Sequence, residues 1–279
     1  MQLGILARTF VRPTLTAVLD AVKAHGLNDV QFNLACAGLP PMPDRLDPDL
    51  CDRIRQEMAV RKLTMVAVSG TFNMIHPDPR ERQRGLRRLA VLAAACGRLG
   101  TSVITLCTGT RDADDKWRYH PDNASPEAWR DLVIAIQTAL QMANDQDVTL
   151  AIEPEVSNVV DSATKARRLL DEMGSPHLKI IMDAANLFPA GTLQHQHKIL
   201  DKAFALLGAD VILAHAKDLS RDGEAGQQAA GTGRLDYDHY LSLLQGSGFD
   251  GPLLLHSLAE SQVDQAVRFL QRRLERLAG

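Results

Sequence analysis

The feature that most constrains this chain is an eightfold alternation of short β-branched runs with longer amphipathic stretches. The runs are LGILA (3–7), DVQFNL (29–34), LTMVAVSG (63–70), TSVITLC (101–107), DVTLAIE (147–153), LKIIMD (178–183), DVILAHA (210–216) and GPLLLHS (251–257). Helical patterns fill about 13–25, 47–61, 78–99, 125–143, 159–173, 192–208, 236–245 and 260–277. Short strands separated by longer helices point to a parallel sheet with right-handed crossovers. Punctuation agrees with that division. Ser125-Pro126 and Asp47-Pro48 each read as a cap followed by a first-turn proline. Gly26, Gly100, Gly174 and Gly208 each follow a helical run, where a residue tolerant of positive φ ends a helix easily. Several strands are continuous apolar runs, as expected where both faces are covered. Eight units, and no Gly-x-Gly-x-x-Gly after the first strand, predict an α/β protein: a single closed (β/α)8 TIM barrel spanning 1–279 rather than a doubly wound open sheet.

Composition narrows the partners. With 31 basic and 34 acidic residues the formal charge is −3, which offers no concentrated positive patch for nucleic acid or anionic membrane. No apolar stretch has the length of a membrane span, and the N-terminal segment lacks the basic start of a signal peptide. Cys36, Cys51, Cys96 and Cys107 form no Cys-x-x-Cys pair and read as reduced, mostly buried thiols in a cytoplasmic protein. The arginine-rich stretch at 80–88 and the last helix read as solvated or subunit-facing surfaces, which leaves room for a homo-oligomer.

In a barrel, polar residues at the C-terminal ends of strands converge on the mouth. Glu153 ends the fifth strand, Asp183 the sixth, and His215 and His256 lie near the ends of the seventh and eighth. Each follows an apolar run in which a charge or imidazole is costly without a partner. Two carboxylates and one or two imidazoles suit one divalent ion, with Mn, Zn, Co, Fe and Mg all compatible. The absence of cysteine from the set argues against a structural thiolate zinc site.

At these residues the chain resembles the sugar phosphate isomerase/epimerase superfamily of xylose-isomerase-like barrels, over essentially 3–277. The matching strings are AIEPEVSN (151–158), IIMDAANLF (180–188), HAKD (215–218), GTGRLDY (231–237) and GPLLLH (251–256). The resemblance implies that Glu153, Asp183 and His215 hold the ion. It breaks at His256, where a member of this group usually has the glutamate that completes an opposed pair of proton carriers. His256 is therefore a candidate fourth ligand or second proton carrier, or else the mark of a member with different chemistry. The superfamily's abasic-site endonucleases need further histidines for a three-zinc cluster. Asn186 stands where one of those would be, so DNA repair is not expected.

The remaining candidates line the same mouth. Lys217, two residues beyond His215, can steady an alkoxide or enolate or protonate a departing hydroxyl. The loop at 108–123 offers Arg111 for a carboxylate or phosphate, and Trp117 and His120 for the wall of a polyol pocket. His76, Glu155, Asn158, Asn186 and Arg221 are further candidates for substrate contact. The expected activity is a metal-dependent isomerase or epimerase of a small sugar or hydroxycarbonyl compound, working through a cis-enediolate. Glu153 would be the base, His256 the opposing acid/base and Lys217 the electrostatic support. The alternatives are a keto-polyol dehydratase and a sugar-binding barrel without catalysis.

Overall fold

The computed structural model describes residues 1–278. Nine strands are present: β1 (Gln2–Leu6), β2 (Asp29–Phe32), β3 (Thr64–Ser69), β4 (Val103–Cys107), β5 (Thr149–Glu153), β6 (Leu178–Asp183), β7 (Val211–Asp218), a two-residue β8 (Gln228–Ala229) and β9 (Pro252–Leu255). Eight of them close into a parallel barrel. β1 pairs with β2 on one side and β9 on the other, and β9 returns through β7 to β6. β8 lies outside the ring and pairs antiparallel with the end of β7.

Among the described residues eight α-helices surround the strands: α1 (Leu15–Ala24), α2 (Pro48–Val60), α3 (Pro79–Leu99), α4 (Pro126–Gln146), α5 (Ala163–Met173), α6 (Gln196–Leu207), α7 (Tyr237–Gly246) and α8 (Val263–Ala278). The expected caps form. Ser125 accepts from the Ala128 amide and Asp47 from the Asp49 amide, with proline in the first turn of each helix. Several helix boundaries differ from the sequence pattern by three or four residues: α6 starts at Gln196 and α8 at Val263, each after a 3-10 turn, and α4 runs on to Gln146. α5 starts at Ala163 rather than near 159, because Ser162 caps the Lys165 amide while Val159 and Val160 are buried in the preceding segment. Gly208 is not a left-handed stop, since its φ is −52° and the chain runs on into a 3-10 turn. Glycine is needed there for space: a Cβ would come within 2.9 Å of the Ser247 Cβ. Among the described residues no helix is long and apolar enough to cross a membrane.

Strand pleating then decides what the barrel interior contains. Successive side chains point to opposite faces, so residues two apart share one. Ala67, Ala151, Ile181, Leu213 and Leu254 form a buried apolar cluster separate from the larger core. Two residues further along their strands stand Ser69, Glu153, Asp183, His215 and His256. The apolar cluster is thus a floor, and a polar layer sits directly above it.

Candidate active site

Glu153, Asp183 and His215 bring one ligand atom each to within 4.8 Å of one another. His215 Nδ1 is 3.3 Å from Asp183 Oδ2 and 3.5 Å from Glu153 Oε1. A hydrogen-bonded chain beneath it fixes the ring. Gln31 Nε2 donates to Ser69 Oγ at 3.2 Å and to Thr105 Oγ1 at 3.3 Å, which leaves Gln31 Oε1 to face His215 Nε2 at 3.0 Å. In the neutral ring, with Nε2 as the donor, Nδ1 keeps its lone pair on the side of the two carboxylates.

These residues fit a divalent ion. Asp183 Oδ2 and His215 Nδ1 are both buried and make no hydrogen bond, and a cation shared between them would satisfy both. Lys217 Nζ lies 2.9 Å from Asp183 Oδ2, off the angle of a hydrogen bond, and 3.8 Å from Glu153 Oε1, so its contribution is an ion pair. Burial opposes charge on His215, but the Glu153 charge and the Asp183 contact outweigh it and raise the imidazole to about 9. The same cluster resists burial at Asp183, where the Lys217 charge and His215 hold the carboxyl below its ordinary range. Both shifts express one fact: this point of the barrel favours positive charge.

The surrounding polar groups are held in turn. Asn186 Nδ2 donates to Glu153 Oε1 at 2.6 Å, and Asn186 Oδ1 accepts from the Gly226 amide at 3.1 Å. Asp183 Oδ1 accepts from the Ala185 amide. Asp218, next to Lys217, accepts from the amides of Leu219, Gly231, Gly233 and Leu235. Its carboxylate is therefore committed to the loop that follows β7.

A cavity of about 500 Å³ opens above the cluster, and Glu153, Glu155, Trp117, Lys217 and His256 line it. His256 lies outside the three-ligand group among the described residues. It stacks on His215 with ring centroids 4.7 Å apart, and its Nδ1 meets Ser257 Oγ at 2.9 Å. The stack explains the geometry: β9 pairs with β7, so the His256 ring lies against the face of His215. Burial, and then the positive charges of His215 and Lys217, push His256 well below the ordinary range, so it is neutral at neutral pH. Glu155 is buried with Oε1 unpartnered, and burial together with the Glu153 charge raises it to about 8.

Other candidates are engaged in holding loops together and do not line the cavity. Arg111 binds Asp131 at 2.7 Å and the Ile75 carbonyl at 2.9 Å. His76 meets the Ala113 carbonyl through Nε2 and the Asp78 amide through Nδ1. His120 caps a short 3-10 turn by accepting from the Asp122 amide. Arg221 is exposed and paired with Glu224. Asn158 accepts from the Gly109 amide, so it shapes the β4 loop. Asn186 touches Glu153 rather than the open cavity. Sequence reasoning missed Gln31, Ser69 and Thr105, although a glutamine in the middle of the apolar run DVQFNL was a visible signal.

A family model described as xylose isomerase-like TIM barrel matches residues 19–273. The chain belongs to this family. Its fold is shared with L-ribulose 3-epimerase at a TM-score of 0.75 and 16% identity, covering 98% of this chain and 94% of that one. A 3-keto-D-glucoside 4-epimerase from E. coli matches at 0.73 and 16%, covering 98% and 99%. A probable 3-DHS dehydratase from Bacillus anthracis matches at 0.75 and 14%, covering 97% and 99%. No curated protein matches the sequence. At these identities the structural likeness is one of fold.

Proposed function

We propose that this protein is a divalent-metal-dependent enzyme that moves a proton at the carbon beside a carbonyl in a small sugar or related hydroxycarbonyl compound. It is an isomerase or epimerase working through a cis-enediolate. The observation that carries this reading is the convergence of Glu153, Asp183 and His215 under an open polar cavity, with Asp183 Oδ2 and His215 Nδ1 buried and outside any hydrogen bond. Membership of a barrel family whose structural neighbours are named as sugar epimerases supports it.

Glu153, Asp183 and His215 would hold a divalent ion (Mn, Zn, Co, Fe or Mg), which would supply Lewis-acid polarisation of substrate oxygens. Everything else is the work of the chain's own groups. Glu153, steadied at Oε1 by Asn186, is the base for the carbon-bound proton. Lys217 sets a buried positive charge beside the point where oxygen gains negative charge. His256, neutral and engaged only at Nδ1, offers Nε2 to the cavity as the second proton carrier. Glu155 and Trp117 face the remainder of the substrate.

Incubation of the metal-loaded protein with keto-sugars and keto-inositols in deuterated water tests the reading. Deuterium at the carbon beside the carbonyl, with mass otherwise unchanged, is expected. The buried Lys217 ammonium favours one second reading, a dehydratase in which it protonates a departing β-hydroxyl, and loss of one water would select it. Sugar binding without any label would leave a binding barrel and overturn both.

A further inference from the structure

Two cations line the cavity, Arg8 and Lys217. Lys217 is buried against Asp183 and Glu153. Arg8 is exposed, in the 3-10 turn Ala7–Thr9 that follows β1, two residues beyond Leu6, which also lines the cavity. Among the described residues its guanidinium makes no ion pair and no side-chain hydrogen bond. Four arginines of the loops are committed, Arg12 to Glu260 at 2.5 Å, Arg111 to Asp131 at 2.7 Å, Arg118 to Asp112 at 3.2 Å and Arg221 to Glu224 at 2.7 Å, while Arg45 and Arg234, which make no ion pair among the described residues, do not line the cavity. Arg111 and Arg221, which the sequence offers as anion contacts, are thus already satisfied by this chain's own carboxylates.

The position of Arg8 matters as much as its freedom. In the ring of eight strands β1 lies four steps from β5 in either direction, so Arg8 stands across the mouth from Glu153. The cavity, about 500 Å³, reaches from one to the other. The acidic side chains that line it, Glu153, Glu155 and Glu224, come from β5 and from the loops after β5 and β7. The wall formed by the ends of β9, β1 and β2 presents Ser257, Arg8 and Asn33 instead. Asn33 Oδ1 accepts from the Ala35 amide, which leaves its NH2 group as a donor. One end of the cavity therefore suits a hydroxycarbonyl group, and the other holds donors with no acid among them.

From this arrangement we infer that the substrate is a hydroxycarbonyl compound bearing an anionic oxygen group, a carboxylate or a phosphate, at the end remote from the reacting carbons, and that Arg8 selects it. The inference rests on the proposed proton-transfer site and names the class of molecule that the site takes. A guanidinium fork matches either anion with two parallel hydrogen bonds, whereas a neutral polyol leaves it unused. A free cation at the mouth also draws anionic molecules inward.

Titration calorimetry at low salt, on metal-free and metal-loaded protein, tests this with two ligand pairs: D-gluconate against D-glucitol, and D-fructose 6-phosphate against D-fructose. The wild-type protein should bind the charged member of at least one pair about 10-fold or more tightly than its neutral counterpart, the scale of a charge-assisted hydrogen bond. The pair that shows the preference tells carboxylate from phosphate. Arg8→Gln should abolish the preference and leave neutral affinity unchanged, and Arg8→Lys should restore part of it, because charge survives while the fork does not. An exposed side chain without partners can be replaced without unfolding, and matched thermal transitions check that. Equal affinity for charged and neutral members in the wild type, or a preference that persists in Arg8→Gln, overturns the inference. Deuterium exchange reports separately: absence of label with the charged-ligand preference intact would remove the proton-transfer reading and leave Arg8's selection standing.

Discussion

At the ends of β5, β6 and β7 each polar side chain is held by another group: Glu153 by Asn186, Asn186 by the Gly226 amide, Asp183 by the Ala185 amide and His215 by Gln31. At the ends of β9 and β1, by contrast, His256 has a single side-chain hydrogen bond to Ser257, and Arg8 has none among the described residues. The contrast matches the two roles proposed for these sides. Ion binding and proton transfer need ligand atoms fixed before the substrate arrives, and this takes a supporting network. Recognition of a substrate's far end needs donors that the protein has not already satisfied. One wall is therefore preorganised and the other left free.

The largest effect should come from breaking the preorganised wall at its centre. Asp183→Asn keeps the shape and an acceptor for the Ala185 amide but removes the charge. Metal affinity should fall by more than the roughly 10–100-fold that loss of a supporting residue costs. Elemental analysis after dialysis checks this, with thermal unfolding as the control for fold.

At the end of β9, His256→Gln should retain metal and fold but lower turnover by about 10²-fold, the scale of a lost acid/base group. Product formation at matched metal occupancy, followed against pH, measures it. A wild-type rate and profile would remove His256 from the chemistry and reduce it to packing against His215.

Gln31→Leu probes the support rather than the ligands. Without the Gln31 carbonyl, His215 loses the partner that fixes its tautomer. Metal affinity should drop by about 10-fold, less than for Asp183→Asn, while kcat per bound metal changes little. Competition with a chelator gives the affinity.

The smallest effect should lie at the far end of the barrel, away from both walls. Asp210, beside the start of β7, receives Lys179 at 2.8 Å and Arg167 at 2.8 Å. Burial pulls its carboxyl up, but those two hydrogen bonds pull it down further, so the net position is below the ordinary range. A carboxyl depressed in the folded state adds stability that is present above its unfolded pKa of about 4 and is lost as pH falls below that. Asp210→Asn should therefore cost about 1 kcal/mol at neutral pH, with the gap to wild type closing on acidification and no change in metal content. Urea unfolding at pH 7 and pH 3 measures the difference.

Much of the site was legible because strand pleating is local. Glu153, Asp183, His215 and His256 each stand two residues beyond an apolar residue of the barrel floor, and that spacing follows from backbone geometry alone. Gln31 carried the same kind of signal, a polar residue in the middle of an apolar strand, but its partner His215 is 184 residues away. Arg111, Arg221, His76 and His120 looked available in a polar loop, and nothing local indicates that Asp131, Glu224, the Ala113 carbonyl and the Asp122 amide occupy them.

The sequence by itself determined the eight units, the closure expected of them and the strand-end residues that meet at the mouth. These depend on periodicity and capping within a few residues of each position. Only the tertiary structure decided which polar groups were already satisfied. It turned His256 into a stacking neighbour of His215, left Arg8 without a partner and committed Asp218 to four backbone amides. A hydrogen bond or ion pair depends on two side chains arriving at one point from distant segments, and that coincidence is fixed only when the barrel has closed.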